Sequence, residues 1–529
     1  MIRHARRLNT REAGRRALHL SLCYNPRGFL SSPLNSHRNS QNSGPLKWIY
    51  RVWDVVSCGP AFYVLWLLML LALLFRLPHL AGKSLWLDEI SSLTFAEMKW
   101  PEFWSLVKRH EGNMLAYYLI LRAWIHLGDN RVVAKLLSVL FGVLTVPAIY
   151  ALGRELYDRR VGLICAFLLT ISACHVRASQ WIRSYSLMIL MLVLAAVFLA
   201  RSLRRPILRN WSLYVLCAAF AVYNHLYAVL ALGAQILSLI IIPAQEIPWK
   251  KLLAALFALG ALLGPAAAYV LLRNTGQLDW VPAPKPWELI HWGVFLAGAG
   301  STGVAYVLLV ICLVLVAISF RKSRGTWSLQ GRSIASWRLA FPYVWLIAPV
   351  AFAFPLSYYK PIFFFRYLII CLPAFLLVIA HAIPQWRPSR YRKPVLAVGL
   401  CLSLTSVVLA YKTEEDWDGS MHYFFSQVHD GDTVFPGAGG VPLEYFSRHW
   451  SGPGTAPRLE LPEYAVAEAA AATFAQSHPR VWVVVFPNFA PEPQTRQLWR
   501  AFTPYYSVAE EKKFRAVTIQ RWDARSTHF

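Results

Sequence analysis

From about residue 60 onward the chain alternates long apolar runs with short polar connections. Single runs lie at about 60–77, 132–152, 161–176, 186–200, 252–272, 302–320, 339–357, 367–384 and 395–411, and a further pair forms a hairpin over about 211–242. Their lengths approach the roughly 20 residues needed to cross a hydrocarbon core. The pattern predicts a mainly α, polytopic transmembrane bundle of about eleven spans. Every second connection is basic: Arg154, Arg159 and Arg160; Arg201, Arg204, Arg205 and Arg209; Lys250 and Lys251; Arg321, Lys322 and Arg324; Arg387, Arg390, Arg392 and Lys393. The positive-inside rule places these on the cytoplasmic side and the alternate connections outside. Residues 1–55 are Arg-rich, then Ser- and Asn-rich, and lack a signal-peptide apolar core. They read as a disordered cytoplasmic tail or an over-extended gene start.

Two regions break the alternation. Between residues 78 and 131, Pro101 suits the first turn of a helix, and Phe103, Leu106, Val107 and His110 follow at helical spacing. A second apolar run, Met114 to Leu127, is too short to span comfortably and carries Arg122 and His126. Both segments predict interfacial helices on the outer surface. Treating the second as a span would reverse every later loop and put the basic clusters outside. Beyond Tyr411 the periodicity changes again. Thr433–Phe435, Val481–Phe486 and Ala516–Trp522 predict strands, and Pro462–Gln476 and Pro493–Phe502 predict helices. Residues 412–529 therefore read as a small α/β domain outside the membrane. The Gly437-Ala-Gly439-Gly440 turn lacks dinucleotide-fingerprint spacing and reads as structural.

Composition sharpens this reading. Of 529 residues, 57% are hydrophobic and only 15% charged, against roughly a quarter charged in soluble domains. The net charge of +26 sits largely in the cytoplasmic loops, so topology accounts for it and a nucleic-acid partner does not. None of the eight cysteines lies in the C-terminal segment, and they lack metal-site spacing.

The candidate chemistry gathers in the outer connections. Asp88 and Glu89 follow the first span, and neighbouring residues diverge by about 100° on a helix. One carboxylate can face a pocket while the other charges the helix N-terminus, which makes Asp88 the candidate base and Glu89 its support. His110, Glu111 and Asn113 lie between the two interfacial helices. A His-Glu pair without a third ligand suits substrate contact better than metal, and a divalent-metal requirement stays open. The loop after the third span carries Arg177, Gln180, Arg183 and Tyr185. Arginine there suits a phosphate, because its planar fork donates bidentately. His225 at the outer hairpin and Arg366-Tyr367 before the tenth span fit the same external pocket.

These residues resemble the membrane glycosyltransferases of family 39, within the superfamily of protein O-mannosyltransferases and lipid A aminoarabinose transferase. The resemblance rests on Leu87-Asp88-Glu89, on Glu111-Gly-Asn113-Met114-Leu-Ala-Tyr117-Tyr118, on residues 131–154, and on Ser179-Gln180-Trp-Ile-Arg183-Ser-Tyr185. It implies a C-type glycosyltransferase fold over residues 56–411. It also implies an inverting transfer from a polyprenyl-phosphate sugar to a hydroxyl of a lipid, glycan or protein, at the outer face of a bacterial inner membrane. Asp88 would be catalytic, Arg177 or Arg183 would bind phosphate, and the membrane spans would hold the prenyl tail. The resemblance calls for no nucleotide cofactor. Two departures stand out. Leu115 and Ala116 replace a proline often found before the Tyr-Tyr pair, and the second outer loop offers Arg177, Gln180 and Arg183 where several relatives carry an acid. A polyprenyl-lipid carrier without transferase activity is the alternative. A ligand sensor would leave Asp88 and the interfacial helices without a role.

Overall fold

A computed structural model of the protein describes residues 60–109, 112–128, 130–272, 281–387, 389–450, 452, 456–463, 468, 470–486 and 493–525. The chain divides into two units, Met1–Phe62 and Tyr63–Phe529. Only Pro60–Phe62 of the first are described, as the opening turn of α1 (Pro60–Arg76). Every later element belongs to the second unit.

Three short helices follow α1: α2 (Leu87–Glu97), α3 (Trp100–Arg109) and α4 (Leu115–Trp124). The expected surface helices are thus α3 and α4, the latter continued by a 3-10 turn, Ile125–Leu127. Arg122, which interrupts the second apolar run, has a structural task. It donates to the carbonyls of Ala96 and Met98 at the end of α2, and its guanidinium lies 4.3 Å from the Trp100 ring. Carbonyls at a helix C-terminus lack intrahelical partners, so a cation there satisfies them.

The membrane bundle comprises α5 (Arg131–Leu156), α6 (Arg159–Thr170), α7 (Ala173–Gln180), α8 (Tyr185–Arg204), α9 (Leu208–Asn224), α10 (Ala228–Leu237), α11 (Trp249–Leu272), α12 (Glu288–Gly298), α13 (Gly303–Gln330), α14 (Ile334–Leu356), α15 (Leu372–Ala382) and α16 (Ser389–Ala410). Among the described residues, seven helical segments are long and apolar enough to cross a membrane. The α6–α7 pair, bent by 56°, supplies an eighth if it counts as one crossing. Ala61–Arg76 and Ala228–Ile241 are shorter apolar helices, and α9 has 17 residues. All eleven expected segments fall on helical stretches, but the length and composition criterion supports at most eight as crossings.

Small residues set the closest approach in the bundle. An added Cβ on Gly153 of α5 would meet the Cα of Gly162 of α6 at 2.8 Å, and one on Gly162 would meet the Tyr150 carbonyl at 2.7 Å. Such contacts let two backbones touch where lipid provides no hydrophobic drive. Behind the bend, buried Arg76 reaches from the end of α1 to Ser179 Oγ, His175 Nδ1 and the carbonyls of Leu169 and Thr170.

The C-terminal part adds helices α17 (Trp417–Gln427), α18 (Gly440–Arg448), α19 (Ala471–Ser477) and α20 (Pro493–Phe502) to strands β1 (Thr433–Phe435), β2 (Arg480–Val485), β3 (Tyr506–Phe514) and β4 (Val517–Ala524). The sheet order is β1-β2-β4-β3. β1 pairs parallel with β2, while β2 with β4 and β3 with β4 are antiparallel. β3, α17 and α18 go beyond the sequence expectation. β3 reads Tyr-Ser-Val-Ala-Glu-Glu-Lys-Lys-Phe, an exposed edge whose charges hide its strand character. Of the expected Pro462–Gln476 helix, Pro462 and Glu463 lie outside any helix, and the described helix α19 runs over Ala471–Ser477.

One apolar core joins this part to the short helices. Trp417, Met421, Phe424 and Phe425 recur at i, i+4, i+7 and i+8 along α17 and pack in the same cluster as Leu85, Ile90, Tyr117, Tyr118 and Trp482.

The glycine contact gives a first prediction. Gly162→Val should destabilise the protein by about 1–3 kcal/mol through overpacking. Gly260→Ala, where an added Cβ meets nothing within 4 Å, should leave the unfolding temperature in detergent nearly unchanged. Equal behaviour of the two variants would remove the α5–α6 contact as the cause.

Candidate active site

The site forms where α2 begins. Two adjacent carboxylates on the first turn of a helix point about 100° apart, and here they diverge in environment. Glu89 is 1% exposed. Its Oε1 accepts the Ile182 N–H at 3.0 Å and its Oε2 the Trp86 N–H at 3.3 Å. Burial raises its carboxyl above the ordinary range, against the pull of Lys135 and these N–H donors. Glu89 therefore fastens α2 to the break between α7 and α8. The Asp88 side chain, 36% exposed, faces the open side.

Arg183, in that break, meets Asp88. Its Nη2 lies 3.7 Å from Asp88 Oδ2, and its Nη1 donates to the Asp88 carbonyl and to Ser92 Oγ, each at 3.3 Å. Arg366 packs on the neighbouring rings, with its guanidinium 4.5 Å from the Trp86 ring, 5.4 Å from Trp181 and 5.5 Å from Phe364. Asp88 lies within electrostatic reach of Arg183, Arg366, Tyr185 and Tyr367. Aromatic rings enclose the group: His225 sits 5.6 Å from Tyr185 and 5.2 Å from Tyr367, and Tyr227 sits 4.8 Å from Tyr367.

Two acids absent from the sequence expectation complete the site. Glu414 accepts from Trp181 Nε1 at 3.1 Å, lies 3.2 Å from Arg177 Nε and 3.7 Å from Arg366 Nη2. Burial pushes its carboxyl up, but Arg177, Arg366 and Lys83 outweigh that and hold it below the ordinary value. Glu415 Oε2 accepts the Leu87 N–H at 2.8 Å and the Trp417 indole N–H at 2.7 Å. Burial pushes its carboxyl up to about 7 against these two donors, with the charges of Asp88 and Glu414 adding to the rise. A sequence signal existed. Glu414 and Glu415 sit just past the last apolar run, as Asp88 and Glu89 sit just past the first. Lys83, also near Glu414 and Glu89, is lowered to about 8 by burial.

The other expected residues divide. Tyr185, Arg366, Tyr367 and His225 join Asp88 and Arg183. Arg177 is held by Glu414 and also donates to the Ala299 carbonyl. Gln180 is buried behind the site, where its Nε2 donates to the carbonyls of Arg76 and Pro78 and braces the end of α1. Asn113 accepts the Leu226 N–H at 3.0 Å, joining the α4 entry to the α9–α10 turn. His110 and Glu111 lie outside the described residues. Among the described residues, no group of three or more His, Cys, Asp or Glu side chains is arranged to hold a metal ion.

Residues 113–271 match the family model described as Dolichyl-phosphate-mannose-protein mannosyltransferase. No curated protein matches the chain by sequence. Among solved structures, ArnT from Cupriavidus metallidurans in the apo state is similar at 12% identity, covering 89% of this chain and 98% of that chain with a TM-score of 0.55. The same protein bound to undecaprenyl phosphate gives 12% identity, 90% and 98% coverage and 0.54. An Archaeoglobus fulgidus oligosaccharyltransferase in complex with Zn and sulfate gives 12% identity, 86% and 72% coverage and 0.51. At such identities the likeness establishes the fold, which is the C-type fold expected from the sequence. Fold and family match together define the class: a multi-pass membrane glycosyltransferase, of the kind served by lipid-linked sugars. The resemblance to family 39 is thereby borne out.

The charge balance gives a pH prediction. Glu415 titrates near 7 in the folded chain, above its ordinary 4.5. Its contribution to stability is therefore fully present below about 4.5 and is lost as pH rises through about 7. Glu89, also raised, acts in the same direction. Glu414, lowered, acts oppositely and below the ordinary carboxylate range. Glu415 should therefore lower the unfolding temperature in detergent as pH rises from about 4.5 to about 7, and Glu415→Gln should remove that contribution from the slope. An identical slope in the variant would show that Glu415 is not the group titrating there.

Proposed function

We propose that the protein transfers a sugar from a polyprenyl-phosphate donor to a hydroxyl of a lipid, glycan or protein acceptor, on the outer face of a bacterial inner membrane. The observation that carries this reading is the partly exposed Asp88 carboxylate beside the Arg183 guanidinium and within electrostatic reach of Arg366, in an aromatic setting. The acceptor hydroxyl attacks the anomeric carbon and its proton passes to Asp88, a general base of the right type and exposure. The bond from that carbon to the phosphate oxygen breaks, and the polyprenyl phosphate leaves with the electron pair. Arg183 and Arg366 stabilise the charge that grows on it, an electrostatic role that is fixed before reaction. A single displacement inverts the anomeric configuration.

Two cavities support the two substrates. One of about 370 Å³ between α6, α12, α13, α15 and α16 is lined by apolar side chains such as Phe167, Leu296, Leu315 and Phe375, and reaches Ser172 beside α7. It suits part of a prenyl chain. Another, of about 780 Å³, lies between Leu85, the start of α5, α17 and α18, with Arg131, Asp418, His422, Tyr445 and Trp450 on its walls. Its mixed aromatic and charged lining suits the acceptor, and Leu85 on its wall is close in the chain to Asp88. The neighbouring structure with undecaprenyl phosphate accords with a prenyl-phosphate donor here.

Asp88→Asn should abolish transfer while expression and donor binding persist, because the amide cannot accept the proton. Arg183→Lys should also lose turnover despite keeping its charge, since lysine lacks the bidentate fork. Loss of one such preorganised donor costs about 2.7–4 kcal/mol in other enzymes. A reconstituted assay with a polyprenyl-phosphate sugar, following both sugar transfer and lipid translocation, tests both. Translocation without product in the wild type would leave the carrier reading standing instead.

Orientation has its own test. Cysteines placed at exposed Ala81 and Glu102 should react with an impermeant maleimide from outside, and those at exposed Arg209 and Lys250 should not. The reverse result would put the site on the cytoplasmic face.

A further inference from the structure

The sequence offered no second acid in the loop where several relatives carry one. The structure supplies two carboxylates from a distant part of the chain, the connection between α16 and α17. The geometry points to Glu415 as a positioning residue for Asp88, acting from that connection as an external cap on the helix that carries the base. This inference rests on the proposed role of Asp88.

Glu415 reaches the one place where a cap on α2 has most effect. The first N–H groups of a helix have no intrahelical acceptor. In α2, Trp86 occupies the N-cap position and offers no side-chain acceptor to them. Leu87, the first helical residue, instead donates its N–H to Glu415 Oε2. Asp88 is the next residue, so the peptide unit carrying it is pinned on its N-terminal side by Glu415. Glu89 pins the following residue through its bonds to Trp86 and Ile182.

The Asp88 backbone is thus held from both flanks, by carboxylates that come from different parts of the sequence. Its carbonyl is held by Arg183. A carboxylate at a helix N-terminus also meets the positive end of the helix dipole.

Glu415 is itself fixed. The Trp417 indole N–H shares the same oxygen, and Trp417 is fully buried in the core that α17 shares with α2 and α4. The neighbouring segment holds the connection before α2 as well. The Asp418 N–H donates to Ser84 Oγ, Asp418 pairs with Arg131, and the Asp416 N–H donates to the Arg515 carbonyl in the β3–β4 turn. Residues 414–418 therefore form a strap from the C-terminal sheet to residues 84–88. Glu414 orders Arg177, Arg366 and Trp181 on one side, and Glu415 orders Asp88 on the other.

The test separates position from charge. Glutamine at 415 keeps an oxygen acceptor for both N–H donors, whereas alanine keeps none. Hydrogen exchange of the purified full chain should show faster exchange of the Leu87 amide in Glu415→Ala and near-native protection in Glu415→Gln. With undecaprenyl-phosphate mannose as the probe donor, kcat should fall about 10–100-fold in Glu415→Ala, as expected for a misplaced catalytic group. Donor KM should stay near the native value, and Glu415→Gln should recover most of the lost kcat. Native protection of Leu87 in Glu415→Ala would overturn the cap. Fast exchange there with native kcat would overturn the positioning role. Should the wild type transfer nothing from the probe while the exchange pattern holds, the cap stands and the donor reading fails.

Discussion

A carboxyl group sealed from water must find N–H donors, or its burial costs more than a small site can absorb. Glu89 finds two, from residues that the sequence separates by nearly a hundred positions, Trp86 and Ile182. Much else depends on that pairing. It fixes the rotation of α2 about its axis, and a helix so fixed turns its neighbour Asp88 toward the open side. It also fixes the break between α7 and α8, where Trp181, Arg183 and Tyr185 arise. A slip of one residue at either end would bury Asp88 and expose Glu89.

Around that pairing, the site balances charge tightly. Three arginines, Arg177, Arg183 and Arg366, pair with Asp88 and Glu414, and Arg366 also stacks against the rings of Trp86 and Trp181. Arginine is suited to this because its weakly hydrated plane stacks on aromatic faces while its edge still donates. Removing Glu414 would leave two of these guanidinium groups without their shared partner. The arginine cluster is thus held in place by a buried anion.

The residues nearest the chain's own landmarks were the legible ones. Asp88 and Glu89 follow a long apolar run, and Arg183 lies in an arginine-bearing connection that topology alone does not explain. Helices such as α5, α8 and α14 are long and apolar enough for composition to place them. Gln180 marks the limit of such reading, because a polar residue in a motif looks the same whether it meets a ligand or a backbone carbonyl. Glu414 and Glu415 were missed because their partners, Arg177 and Leu87, are more than two hundred residues away and no periodicity records such pairings. β3 was missed because edge strands carry charge where strand patterns lead one to expect alternation.

The strap has a consequence for how the molecule comes into being. Leu87 and Glu415 are separated by 328 positions, and the whole membrane bundle lies between them. Chains emerge from the ribosome N-terminus first, and their parts fold as they appear. Asp88 is therefore made early but stays uncapped throughout the insertion of every later helix. Its helix acquires its last hydrogen bond only after α16 has been placed and the segment beyond it has reached the same side. Closure of the Leu87–Glu415 contact reports completion of the bundle, so a protein truncated anywhere before residue 415 carries Asp88 without the bond that seats its helix.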